Sequence, residues 1–172
     1  MSSLRDEIRQ QQPFDSPAEE ATLALLRTTD LVRRRLAAVI EPHGVTLQQY
    51  NVLRILRGAG GDGMQTLEIA HRMVEQAPGI TRLLDRLEAK RLVRRERPAG
   101  DRRCVICRIS EAGLKLLARL DQPVKSHDAH ATACLTEAQL GQLIGALARV
   151  RSAHATYEVE HPRGPRVGEP AD

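Results

Sequence analysis

Between Pro78 and Ile109 the spacing of apolar residues changes from helical to extended with almost no loop between, and few folds accommodate that change. In PGITRLLDRLEAK, Ile80, Leu83, Leu84 and Leu87 fall on one helical face, while Thr81, Arg82, Asp85, Arg86 and Ala89 fall on the other. Pro78 is suited to the first helical position. LVRRER and RRCVICRI then read as two short strands joined by a turn at Pro98-Ala99-Gly100-Asp101. A short helix, TLEIAHRMVEQ, precedes them, with Thr66 as its cap and Ile69, Ala70 and Met73 facing inward. Two short helices around a tight connector form a helix-turn-helix. A basic hairpin directly behind makes it a winged helix-turn-helix.

Long helices flank this unit. SPAEE carries a start signal, with Ser16 as N-cap, Pro17 at the first position and Glu19 closing a capping box. Leu25, Thr28, Val32, Leu36 and Val39 form a stripe along the helix, which Pro42 and Gly44 end. In VTLQQY, Thr46 caps, Gln49 answers, and Val45 staples onto Tyr50. The following GAGGDG succeeds a helix and lacks the Lys-Ser/Thr ending of a phosphate loop, so it reads as a connector. Ser110 caps a further helix that Pro123 is expected to kink or interrupt. TEAQ, from Thr136 to Gln139, launches the last helix, with Leu140, Leu143, Ile144, Leu147 and Val150 on its stripe.

Composition narrows the function. One Phe, two Tyr and no Trp leave an aliphatic core, suited to helix packing, and little to stack on unpaired bases. Three cysteines, no signal-peptide pattern in MSSLRDEIRQQQPF and no apolar run near the roughly 18 residues of a membrane span fit a reduced, cytoplasmic protein with no membrane role. The formal net charge is only +4, yet ten Lys/Arg face four Asp/Glu between Pro78 and Ile109. A basic surface on a near-neutral body is the footprint of a polyanion partner.

The segment ITRLLDRLEAKRLVRRERPAGDRRCVICRISEAG resembles the MarR family of bacterial transcriptional regulators. Leu87-Glu88, Leu92-Val93, Asp101-Arg102-Arg103 and Ser110-Glu111-Ala112-Gly113 carry the resemblance. It implies a mainly α fold with a small β-hairpin: a winged helix-turn-helix at about 46–109 and dimerisation helices at about 16–41 and 110–156. Residues 1–15 then form a flexible arm, 16–156 the MarR-type domain and 157–172 a disordered tail. The family usually carries Gly where this chain has Arg91, a position suited to a left-handed helix cap.

The resemblance further implies a homodimeric repressor on a pseudo-palindromic double-stranded operator, released by a small-molecule effector. Pro78, Gly79, Thr81, Arg82 and Arg86 become the recognition-helix residues, with Thr81 and Arg82 the best placed for base edges. Arg94, Arg95, Arg97, Asp101, Arg102 and Arg103 make the wing: Arg97, Arg102 and Arg103 for the minor groove, Arg94 and Arg95 for phosphate, and Asp101 to orient a neighbouring Arg. His43, Tyr50 and Arg54 are candidates for an effector cleft.

Other readings remain open at this level. Cys104-x-x-Cys107 looks like half a zinc site, but residues three apart on a strand point to opposite faces. His127, His130 and Cys134 would share a helical face, so a metal- or thiol-responsive regulator of the same fold is one alternative. A helix-turn-helix adaptor without DNA affinity is another. No catalytic motif or cofactor site is present, so an enzyme is not expected.

Overall fold

The long helices start at the capping residues read from the sequence, and those starts set the architecture. The computed structural model describes residues 3–75, 79–97 and 105–160. Ser3 caps a single turn, α1 (Leu4–Glu7), within the segment expected to be a flexible arm. Ser16 caps α2 (Pro17–Ile40), accepting the Glu19 N–H at 3.1 Å. Glu19 does not close a box on Ser16; its carboxylate accepts the Asp15 N–H at 2.7 Å instead. A 3-10 turn, Glu41–His43, and Gly44 at φ 81° redirect the chain. Thr46 and Gln49 form the expected capping box at the start of α3 (Leu47–Ala59).

The helix-turn-helix is shorter than its sequence pattern. α4 (Thr66–Arg72) takes Gln65 at the cap with no side-chain bond, so Thr66 is its first residue and not its cap. Met73, already extended, ends it. α5 (Ile80–Ala89) follows Gly79 at φ 93°, and Pro78 lies outside the described residues. The sheet holds three antiparallel strands in the order β1-β3-β2, not the two expected. β2 (Val93–Glu96) and β3 (Ile106–Ile109) form the wing. β1 (Met64–Gln65) joins β3 with Met64 opposite Cys107. Gly63, at φ 69°, makes that approach possible, because a Cβ there would stand 2.6 Å from the Cys107 carbonyl oxygen.

Fully buried Ile40, Leu53, Leu56, Ile69, Leu84, Leu87, Leu117 and Leu120 form an aliphatic core around these elements. Truncating one such leucine to alanine costs about 2–5 kcal/mol. Arg57 on α3 adds a two-oxygen contact to Asp121 of α6 (Glu111–Thr132), at 3.0 and 2.9 Å. α6 continues through Pro123 as one helix, so of the expected kink or interruption the interruption is absent. A proline there forfeits one backbone bond, and the buried neighbours Leu116, Leu117, Leu120 and Val124 hold the helix on either side.

The chain divides into two compact units, Met1–Asp128 and Ala129–Asp172. In the second, Thr136 and Gln139 form the expected capping box of α7 (Glu137–Glu160). α7 passes the expected boundary at Tyr157, and residues 161–172 lie outside those described.

Arg91 occupies the left-handed position where the family uses glycine, at φ 56°. Around it the end of α5 is closed by two backbone bonds, Arg91 N–H to the Glu88 carbonyl at 2.8 Å and Leu92 N–H to the Leu87 carbonyl at 3.0 Å. A side chain there costs roughly 1 kcal/mol. Arg91→Gly is therefore expected to raise unfolding free energy by up to about 1 kcal/mol, offset partly by the looser unfolded chain. Urea unfolding checks it; a destabilised variant would show that Arg91 is held by its side chain.

Candidate nucleic-acid interface and effector cavity

On α5 the physical division of faces is clean. Leu84 and Leu87 are buried, while Thr81, Arg82, Asp85, Arg86 and Ala89 are exposed. Its N-terminus has no side-chain cap, and Gly79 contributes only its carbonyl, accepting the Leu83 N–H at 3.2 Å. The first-turn N–H groups therefore stay available to an anion, in the direction the helix dipole favours. Arg86 and Leu83 line a polar groove that also meets Arg34 of α2 and Gln48 of α3.

The wing strands carry the charge next to it. Arg94 on β2 stands directly opposite Arg108 on β3. Like charges across a strand pair destabilise it, and a phosphate would relieve them. Glu96 takes one of the two, accepting from Arg108 Nε at 3.2 Å. Arg82, Arg86, Arg94 and Arg97 make no ion pair with another described residue. Arg95, expected to meet phosphate, has internal partners as well. Its guanidinium lies on Glu88 and Asp85 of α5, and the hydrogen bond to Glu88, ahead of the one to Asp85, holds its pKa above the ordinary arginine value. The wing tip, with Asp101, Arg102, Arg103 and Cys104, lies outside the described residues.

A cavity of about 220 Å³ opens between α2, α3 and the segment after α4. Val32, Leu36, Leu47, Tyr50 and Met73 give it an apolar lining. Arg54 lies over the Tyr50 ring, 5.9 Å from its centroid. Burial, the largest influence, pushes the Tyr50 phenol pKa up, so the ring stays neutral in the ordinary range. Tyr50 and Arg54 are thus brought together, and His43 is not: it sits exposed on the 3-10 turn, away from this lining. Asn51, which sequence reasoning missed, is also in the wall. Its Oδ1 accepts the Val74 N–H at 2.9 Å and so holds the segment that leads to α5. A lone Asn inside a helix gives no sequence signal for a partner 23 residues away.

Of the sulfur and imidazole groups, Cys104 lies outside the described residues, and the others do not form one cluster. Cys107 is fully buried, and burial pushes its thiol pKa up, the reverse of a reactive thiolate. Cys134 is exposed but lies beyond the end of α6, so it does not continue the helical face of His127 and His130. Among the described residues no His, Cys, Asp or Glu group could hold a metal ion.

The sequence profile of the MarR family matches residues 43–103. The chain is 40% identical to a MarR transcription factor from Planctomyces limnophilus, whose crystal structure it matches with a TM-score of 0.62, over 79% of this chain and 98% of that one. It is 26% identical over 125 residues to the homoprotocatechuate degradative operon repressor of Escherichia coli, covering 73% of this chain and 83% of the relative. The transcriptional repressor CouR, solved bound to a 23-mer DNA duplex, is 26% identical with a TM-score of 0.71, over 83% of this chain and 99% of that one. Among the described residues no helix is long and apolar enough to cross a membrane.

Asn51→Ala is expected to free the Val74 amide while leaving the helices intact. The cost should be near 1 kcal/mol, the usual net worth of such a bond. Amide exchange at Val74 should accelerate well beyond the change at core amides of α3. Equal acceleration at both would mean that Asn51 supports the whole fold and not this segment.

Proposed function

The chain belongs to the MarR family, and we propose that it works as a homodimeric repressor on a pseudo-palindromic double-stranded operator. It is a DNA-binding transcriptional regulator and not an enzyme. The observation that carries the finer reading is the exposed, uncapped start of α5 with Thr81, Arg82 and Arg86, together with Arg94 of the wing, which makes no ion pair with another described residue. CouR, a relative of the same fold, is a repressor held on duplex DNA.

In this reading Gly79, Thr81 and Arg82 enter the major groove, with Arg82 able to grip guanine O6 and N7 together. Pro78, just ahead, and Arg86, one turn on, flank the contact. Arg97, Arg102 and Arg103 belong to the minor groove, where a narrow A·T-rich stretch attracts guanidinium groups. Arg94 meets phosphate, and Asp101 orients a wing arginine. Operator binding places the protein with the chromosome, in the cytoplasm.

Dimerisation follows from faces the single chain leaves open. α2 exposes Leu25, Leu26 and Val32, with Leu26 62% exposed, and α7 exposes Leu143, Ile144 and Val150, with Ile144 64% exposed. Two such faces meeting a second copy bury apolar area and give the two-fold symmetry a palindrome mirrors. The cavity beside Tyr50 and Arg54 suits a small effector with a flat apolar body and an anionic group, the guanidinium meeting the charge.

Two expectations test this. On a duplex enriched from a random library by the native protein, Arg102→Ala and Arg103→Ala should each weaken binding at least about tenfold, roughly 1.4 kcal/mol, with the thermal melt unchanged. Fluorescence anisotropy over a salt series measures it; a protein with no salt-dependent duplex affinity would be an adaptor instead. Light scattering on a sizing column should give twice the chain mass, and the double variant Leu26→Glu, Ile144→Glu should shift it toward the monomer. A native protein that elutes as a monomer at micromolar concentration would contradict the dimer.

A further inference from the structure

On a surface built to meet a polyanion, two acids of α5 are turned onto one arginine. Arg95 on β2 has a side chain only 24% exposed. Its Nε donates to Glu88 Oε2 at 2.8 Å, and its Nη2 reaches both that oxygen and Asp85 Oδ1, the latter at 2.6 Å. The Arg95 backbone N–H also donates to Glu88 Oε1, at 3.2 Å. Glu88 therefore grips main chain and side chain of the same residue, and Asp85, almost one turn earlier on α5, adds a second carboxylate at Nη2.

We propose that Asp85, Glu88 and Arg95 form a brace that sets the spacing and angle between recognition helix and wing, making Arg95 and Glu88 positioning residues for operator recognition and not DNA contacts. The inference rests on the DNA-binding reading above.

Three observations support it. Two carboxylates already hold Arg95 Nε and Nη2 at hydrogen-bond distance, whereas Arg82, Arg86, Arg94 and Arg97 make no ion pair with another described residue. The wing has little else to hold it: β2 and β3 are four residues each, and β1 only two. Its outer face is also self-repelling, with Arg94 opposite Arg108. A planar guanidinium held through separate nitrogens fixes direction as well as distance, which an ammonium does not. Helix and wing must seat in neighbouring grooves at once, so a small error of angle at one end is lost contact at the other.

The brace makes a prediction opposite in sign to simple electrostatics. Deleting an acid from a DNA-facing lobe adds net positive charge and by counterion release alone should tighten binding. If Glu88 acts by holding Arg95, its loss should weaken it.

The test compares native protein, Glu88→Ala, Arg95→Ala and Arg95→Lys on a duplex that the native protein enriches from a random library, and on a scrambled duplex of equal composition. Affinity is read by anisotropy across a salt series, with thermal melts alongside. All three variants should bind the enriched duplex about tenfold or more weakly, the scrambled duplex as the native protein does, and with an unchanged salt slope. Arg95→Lys, which keeps the charge and loses the fork, should fall with Arg95→Ala. A slope shallower by about one for Arg95→Ala would make Arg95 a phosphate contact and overturn the brace. So would a Glu88→Ala protein that binds the enriched duplex as tightly as the native one. Should the alanine variants melt early, Glu88→Gln, matched in size, carries the same expected weakening and the same refutation. Failure of the native protein to enrich any sequence would instead strike the DNA-binding reading itself, and the brace with it.

Discussion

The Ser110 hydroxyl is the joint on which this lobe turns. Its Oγ donates to the Arg91 carbonyl at 2.7 Å and accepts the Gly113 N–H at 3.1 Å, and its own N–H donates to the Leu92 carbonyl at 3.0 Å. One buried side chain thus satisfies a carbonyl past the end of α5 and caps α6, while its backbone binds the residue that leads into β2. Such groups would be costly to bury without partners. The junction also explains the glycine three residues on: a Cβ at Gly113 would collide with the Leu92 carbonyl oxygen. The Ser-x-x-Gly pattern is therefore a packing requirement of the place where recognition helix, wing and long helix meet.

That joint fixes the base of the wing but not its tilt, because the strands beyond it are short. Tilt falls to side chains, and the charges on this surface divide accordingly. Asp85, Glu88 and Glu96 are committed to Arg95 and Arg108, leaving other guanidinium groups without an acid among the described residues. Net charge alone describes attraction to DNA; the pairing describes orientation. A lobe with every acid replaced would attract duplex more strongly and aim less well.

Local chemistry was legible in the sequence and tertiary pairing was not. Ser16, Thr46, Ser110 and Thr136 each mark a helix start by a bond spanning three residues, and every one is present. The hairpin strands and the burial of Cys107 follow from alternation over a few residues. β1 escaped notice because two residues have no period to read. The internal partners of Arg95 were not legible, because a charged residue on a basic strand looks the same whether or not a carboxylate seven residues back on another element pairs with it. Pro123 does not interrupt its helix, since tertiary packing around Leu120 and Val124 outweighs one lost backbone bond. The site was readable as a composition of residues and not as a set of contacts.

The cavity is lined in part by the segment that precedes the recognition helix in the chain, and this limits how an effector can act. Val74 and Glu75 line the cavity and precede α5; Asn51 holds one by its N–H at 2.9 Å, and Arg33 of α2 holds the other by an ion pair at 2.8 Å. Both ties are weak, a single hydrogen bond and a largely exposed ion pair, each worth no more than about 1 kcal/mol. A ligand shifts a conformational balance only by its difference in affinity for the two arrangements. A factor of a hundred in operator affinity needs roughly 2.7 kcal/mol of such coupling. Losing both ties supplies most of that and no more, so an effector that leaves them intact must find its leverage elsewhere, in the apolar contacts of α2 with α3. Weak ties suit a switch, because each holds Val74 or Glu75 by an energy within reach of one small molecule's binding.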